Sequence, residues 1–249
     1  MSMEKRLAFI LAIFLLRGFF STVEAQSLTA GLNIGIGSYS MTMLKELQDV
    51  RIQYIGLPAK VTDNFPVNWT SGAELGLCFP KFPSRLTWFF QFSSTGARIS
   101  SVDYSGELKL DLITNCMQFG VGMEQDVLRY HFFSLSVSGK FSYLFSEVKT
   151  LDYLRINDHV VSEENRFTSS GAGLEPGIIA GFNFLFFRIG LYGGYLFSFS
   201  EGLHLQKNRQ ARLKLPTDEI VRVEWNGWRT GVKVDFRLPL KKKATEKKD

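Results

Sequence analysis

Residues 182–200 read FNFLFFRIGLYGGYLFSFS. Phe187, Ile189, Leu191, Tyr195, Phe197 and Phe199 fall on one parity. Arg188, Gly190, Tyr192, Gly194, Leu196 and Ser198 fall on the other. Strict alternation is the mark of a β-strand, whose successive side chains point to opposite faces. A water-soluble strand buries its apolar face against a second apolar layer. Here the opposite parity is rich in glycine and small polar groups, so no full second layer is on offer. The stretch asks for a cover that the chain itself does not supply, and a lipid bilayer is such a cover.

The same alternation recurs along the chain. It covers Leu28 to Tyr39, Val67 to Phe79, Leu86 to about Arg98, about Tyr104 to Met123, Phe132 to Val148 and Ser169 to Phe184. After the opening stretch it returns from Arg222 to Leu238. Together these predict eight strands. In the fourth, the apolar parity moves from Leu108, Leu110 and Leu112 to Met117, Phe119, Val121 and Met123. A β-bulge near Thr114 accounts for such a shift. Pro176 is awkward in a central strand because it lacks an N–H. A tilted strand crosses the hydrocarbon with about 9 to 11 residues, so every run is long enough.

The connections alternate in length. Residues 40–66, Ser93 to Asp103, Thr150 to Thr168 and Glu201 to Val221 are the longer ones. Pro80 to Arg85, Glu124 to His131 and the turn near Leu185 are the shorter ones. Short turns on one side and longer loops on the other is the habit of outer-membrane barrels. The fold expected is an all-β, eight-stranded antiparallel transmembrane barrel, with short turns in the periplasm. A short helix over Met41 to Gln48 opens the first outer loop. Trp69, Trp88, Tyr143, Tyr195 and Trp228 suit the interfacial girdles of such a barrel.

The composition agrees. The chain has 249 residues, 45% of them hydrophobic and 14% aromatic. Its mean hydropathy is nonetheless zero, because apolar residues are dispersed among polar ones. The one block is N-terminal: Lys5 and Arg6 precede Leu7 to Leu16, and Val23-Glu24-Ala25 precedes Gln26. That is the layout of a cleaved signal peptide over residues 1–25. A membrane-anchor helix is the competing reading, and the apolar run is short for one. The barrel domain then spans residues 26–240 and a basic periplasmic tail spans 241–249. The tail holds five lysines against two acids, so it and the leader carry most of the formal net charge of +5. The body is close to neutral, which argues against nucleic acid as a partner. Cys78 and Cys116 make no disulfide scaffold, and a single bridge between them stays open.

Applying the parity to the charged residues puts Glu74, Asp111, Lys140, Glu175, Arg188, Arg229, Lys233 and Asp235 inside the barrel. Four are acidic and four basic. Eight strands leave an interior just wide enough for side chains, so a neutralised, ion-paired filling is expected rather than a narrow channel. Outside, His204, Lys207, Arg209, Arg212 and Lys214 crowd into GLHLQKNRQARLKLP. Arginine and lysine bind phosphate, so this loop is a candidate for lipopolysaccharide; a solvated charged loop is the plainer alternative. Metal-ligand spacing, HExxH, a nucleophile elbow and a phosphate loop are all missing, so no metal, cofactor or catalytic residue is assigned. The lone hint of a rim enzyme acting on lipid A is His204 beside Ser198, Ser200 and Glu201.

Two local stretches carry a resemblance: GIGSYSMTMLKELQ at 35–48 and STGARISSVDYSGEL at 94–108. They resemble the small outer-membrane β-barrel proteins of Bacteroidota, a porin-like or OmpA/OmpX-like group. The likeness runs over the mature chain to about Leu238. It implies a non-enzymatic barrel in the outer membrane, structural or interaction-based. Outer-membrane lipid and lipopolysaccharide are its surroundings, and some similar barrels are accessory subunits of envelope machines. An envelope protein is therefore a candidate partner for the outer loops or the tail. One departure stands out: Phe236 is followed by Arg237-Leu238-Pro239-Leu240 and the basic tail, where such barrels often end on an aromatic residue.

Overall fold

A computed structural model describes residues 27–55, 60–79, 84–102, 104, 106–157 and 159–240. The leader and the basic tail expected from the sequence lie outside these residues. The fold is all-β with one helix. The strands are β1 (Ser27–Tyr39), β2 (Lys60–Asn64), β3 (Asn68–Cys78), β4 (Ser84–Val102), β5 (Gly106–Tyr130), β6 (Phe133–Ile156), β7 (His159–Asn183), β8 (Phe187–Ser200), β9 (His204–Leu205), β10 (Asn208–Arg212) and β11 (Gly227–Pro239). Helix α1 (Thr42–Ile55) follows β1.

Eight strands pair in a ring. The order is β1–β3–β4–β5–β6–β7–β8–β11, and β11 pairs back onto β1 from Ser27↔Pro239 to Tyr39↔Gly227. Every pairing is antiparallel. β2 adds to β4 and the small β9–β10 hairpin adds to β7, both at the same end of the ring. Pro176 is accommodated by a gap in the ladder. The β7–β8 pairing stops at Leu174↔Phe197 and resumes at Gly177↔Gly194. Two glycines face each other where the ring needs room: Gly35 pairs with Gly231, and the Tyr192 ring lies across both. A Cβ on Gly35 would stand 2.6 Å from the Tyr192 hydroxyl and 2.2 Å from the Thr230 carbonyl oxygen.

Several expectations change. No bulge occurs at Thr114, since β4 and β5 pair without a slip from Ser84↔Gln125 to Val102↔Glu107. The irregularity in β5 lies at Asp126–Leu128 instead. The expected loops at Ser93 to Asp103 and Thr150 to Thr168 are mostly strand, because β4 runs on to Val102 and β6 and β7 continue as a hairpin from Thr150↔Asn165 to Ile156↔His159. The last ring strand begins at Gly227, not Arg222. The helix is longer than Met41 to Gln48 and extends to Ile55.

The inside of the ring is built in two parts. At the end holding α1, an apolar cluster fills it: Tyr39, Met41, Leu44 and Leu47 meet Leu112, Cys116, Leu144, Val148, Leu196 and, from the segment after β8, Leu203, Leu215, Val221, Val223 and Trp225. Two polar groups there are held by hydrogen bonds. The Trp225 indole N–H donates to Ser146 Oγ at 2.9 Å, and its ring stands edge-on to Tyr39 at 4.8 Å. The Glu224 carboxylate accepts the backbone N–H of Thr42 at 3.0 Å, placing an anion at the N-terminus of α1. Below this plug the inner face turns polar and charged.

Candidate functional site

The inner charges form a network of seven residues and, beside it, a separate ion pair. Glu74 on β3 accepts Lys140 Nζ at 2.7 Å and Lys233 Nζ at 2.5 Å. Lys233 also contacts Glu124, which takes Arg85 and, at 3.4 Å, Arg188. Arg85 reaches on to Asp235 at 2.8 Å. Nearer the plug, Arg229 donates to Glu175 at 3.0 Å and to the Gln118 side-chain oxygen at 2.8 Å, under the Tyr39 ring. Each carboxylate touches at least one cation and each cation at least one carboxylate. An isolated charge in so enclosed a place would be costly, and the pairing offsets that cost.

Seven of the eight residues expected inside are found there: Glu74, Lys140, Glu175, Arg188, Arg229, Lys233 and Asp235. Asp111 is the exception. It lies on the outer face, bound by the Arg98 guanidinium through two hydrogen bonds of 2.6 and 2.7 Å. The expected Thr114 bulge would have turned it inward, and no bulge exists. Arg85 and Glu124 also lie inside, although the alternation places both in turns. They sit where strands pair past the point at which the apolar alternation stops, and Arg85↔Glu124 are direct register partners.

The space between these groups is small. A pocket of about 10 Å³ lies among Glu74, Lys140, Glu175 and Lys233, the room of about one water molecule. A second of about 10 Å³ lies by Arg85, Arg188 and Asp235.

The outer face is the reverse of the inner. Between Arg98, Asp111 and Glu147 at one end and the turns at the other, no charged side chain points outward among the described residues. The belt is made of residues such as Leu32, Ile34, Trp69, Phe90, Phe119, Phe141, Leu191 and Trp228, all exposed. Both cysteines are free thiols. No helix among the described residues is long and apolar enough to cross a membrane, and no group of three His, Cys, Asp or Glu there could hold a metal ion.

At the rim, the loop expected to meet lipopolysaccharide splits up. His204 is tied by its Nε2 to Thr168 Oγ1 at 3.1 Å. Lys214 is paired with Asp218 at 2.6 Å. Lys207 lies exposed at the tip of the β9–β10 hairpin. Arg209 and Arg212 line a groove of about 780 Å³, joined by Arg222, which the sequence reading assigned to a ring strand. Part of the supposed loop is buried: Leu203, Leu215 and Val221 belong to the plug, as does Val223 just beyond it. The alternation Val221-Val223-Trp225 was the signal for this. Ser198 and Ser200 do not meet His204, since they bond to Asn226 and to the Val223 carbonyl. Among the described residues no carboxylate is bonded to the His204 ring.

No protein-family model matches this chain, and no curated protein matches it.

Proposed function

We propose that this protein is an outer-membrane β-barrel that acts without catalysis, through its outer rim and its tail. In this reading the eight-stranded ring closes as a barrel, and its outward belt lies in lipid. A single observation carries it: below the plug the polarity of the ring is inverted, with charge buried inside and an uncharged apolar belt outside. A soluble protein would have to leave that belt in water, although soluble monomers rarely expose contiguous apolar patches beyond a few hundred Å². On β1 the belt runs from Leu28 to Ile36, nine residues, matching the span a tilted strand needs. A closed ring also leaves no unpaired backbone edge in the hydrocarbon. The likeness of residues 35–48 and 94–108 to the small barrels of Bacteroidota supports the same reading. It extends it to an accessory subunit of an envelope machine, with the basic tail at 241–249 as a periplasmic contact.

The test is direct. The processed protein is expected in the outer-membrane fraction, extractable by detergent only, and its band should shift on boiling. Recovery of the processed chain as a detergent-free monomer from an aqueous extract would end the reading. A narrow channel is not favoured, because the plug and the ion pairs fill the interior. Planar-bilayer recordings of the reconstituted protein should show no steps above background; regular unitary steps would mean that the interior opens.

A further inference from the structure

We infer that the groove beneath the β9–β10 hairpin seats a phosphate-bearing acyl lipid, its phosphate on Arg209, Arg212 and Arg222. The inference rests on the membrane reading above. Three guanidiniums face this one groove, and none of them has a carboxylate within ion-pair distance among the described residues. The same rim pairs its other arginines: Arg98 with Asp111, Arg155 with Glu107, Arg166 with Glu164. One acid, Glu201, also lines the groove, and it accepts the Ser170 hydroxyl at 3.0 Å. The groove therefore keeps an excess of positive charge. Guanidinium forks match phosphate oxygens two at a time, which makes arginine the better residue for holding a phosphate in place.

The floor of the groove selects a lipid over a soluble anion. Its lining includes Tyr143 and Phe145, the last apolar outward residues of β6 before Glu147. The groove thus opens onto the outer belt at the level where charge first returns. Strand register places Ala172 between Tyr143 on β6 and Phe199 on β8. The small Ala172 leaves a notch one strand wide between the two rings, and Leu174, exposed on the same face of β7, continues from it as apolar surface onto the belt. An acyl chain fits across that notch and along the apolar belt while its phosphate stays on the rim. Inorganic phosphate would use the arginines and have no use for the apolar surface beside them.

The experiment uses the full chain in detergent, titrated with a bisphosphorylated lipid A and its dephosphorylated form, read by native mass spectrometry. The phosphorylated lipid is expected to bind. R209Q/R212Q/R222Q should weaken it by at least about tenfold, as loss of a charge-assisted hydrogen bond does. A172W should weaken it without touching the arginines, and K207Q/K214Q should leave it unchanged. Where A172W loses its boiling shift, A172L takes its place. Equal binding of both lipid forms, or an unaffected triple variant, overturns the inference while the barrel stands. Full displacement by millimolar inorganic phosphate, with A172W or A172L silent, overturns it in favour of a free-anion site. If the wild-type chain shows no boiling shift and does not stay with lipid, the membrane reading fails and takes this site with it.

Discussion

Replacing Glu124 by alanine is expected to destabilise the folded protein by about 3–5 kcal/mol or more, the cost of breaking a buried ion pair from one side. Glu124 is almost fully enclosed and is the one carboxylate shared by Arg85, Arg188 and Lys233. Without it three cations face one another, with only Glu74 and Asp235 close by to offset them. E124Q keeps the volume and one acceptor oxygen, so its loss should be smaller. D111A is the control. Its partner Arg98 has a side chain 47% exposed, and breaking so wet a pair should cost about 1 kcal/mol or less. The midpoint of unfolding by urea in lipid vesicles, or the temperature at which the compact gel band converts, ranks the three. If E124A proves as stable as D111A, the inner network contributes nothing to holding the ring.

The contrast between those two acids also shows how far the sequence could be read. Alternation located β1, β3, β8 and β11 and the inward facing of Glu74, Arg188, Arg229 and Lys233, because over most of their length those strands have apolar residues on one side and small or polar ones on the other. In β5 the rule inverts partway. Leu110 and Leu112 point inward, Leu112 into the plug, while Asp111 and Lys109 point outward at the rim. Inside and outside exchange chemistry at that height, and in a sequence this looks like a slip of one residue. Nothing in β5 slips there. The rim was hidden for a related reason. The plug is drawn from residues far apart in the chain, so Leu203, Val221 and Trp225 read as loop or strand until α1 is seen covering them. Arg222 could join Arg209 and Arg212 only once the hairpin had folded back over β7.

The interior and the belt make different demands on stability. The plug would hold in water as well as in lipid, because its apolar groups are buried either way. The ion pairs need a dry interior but no bilayer outside. Only the belt responds to what surrounds the ring, so the membrane reading is decided by changing the belt and leaving the inside alone.

A triple variant, L32R/F90R/L191R, does this. The three residues are exposed and stand on β1, β4 and β8, each separated from the next by at least one intervening strand. An arginine on the lipid face near the bilayer midplane costs about 2–4 kcal/mol. Sites this far apart add approximately, so the three together cost about 6–12 kcal/mol, as much as the whole stability of an ordinary domain. The expected result is loss of the boiling-shifted form and failure to accumulate in the outer membrane. Surrounded by water, the same three changes would each stay within about 0.5 kcal/mol and would raise solubility. The two environments therefore predict opposite outcomes for one protein. Recovery of the triple variant as a folded, detergent-free species more soluble than the parent chain would place the belt in water.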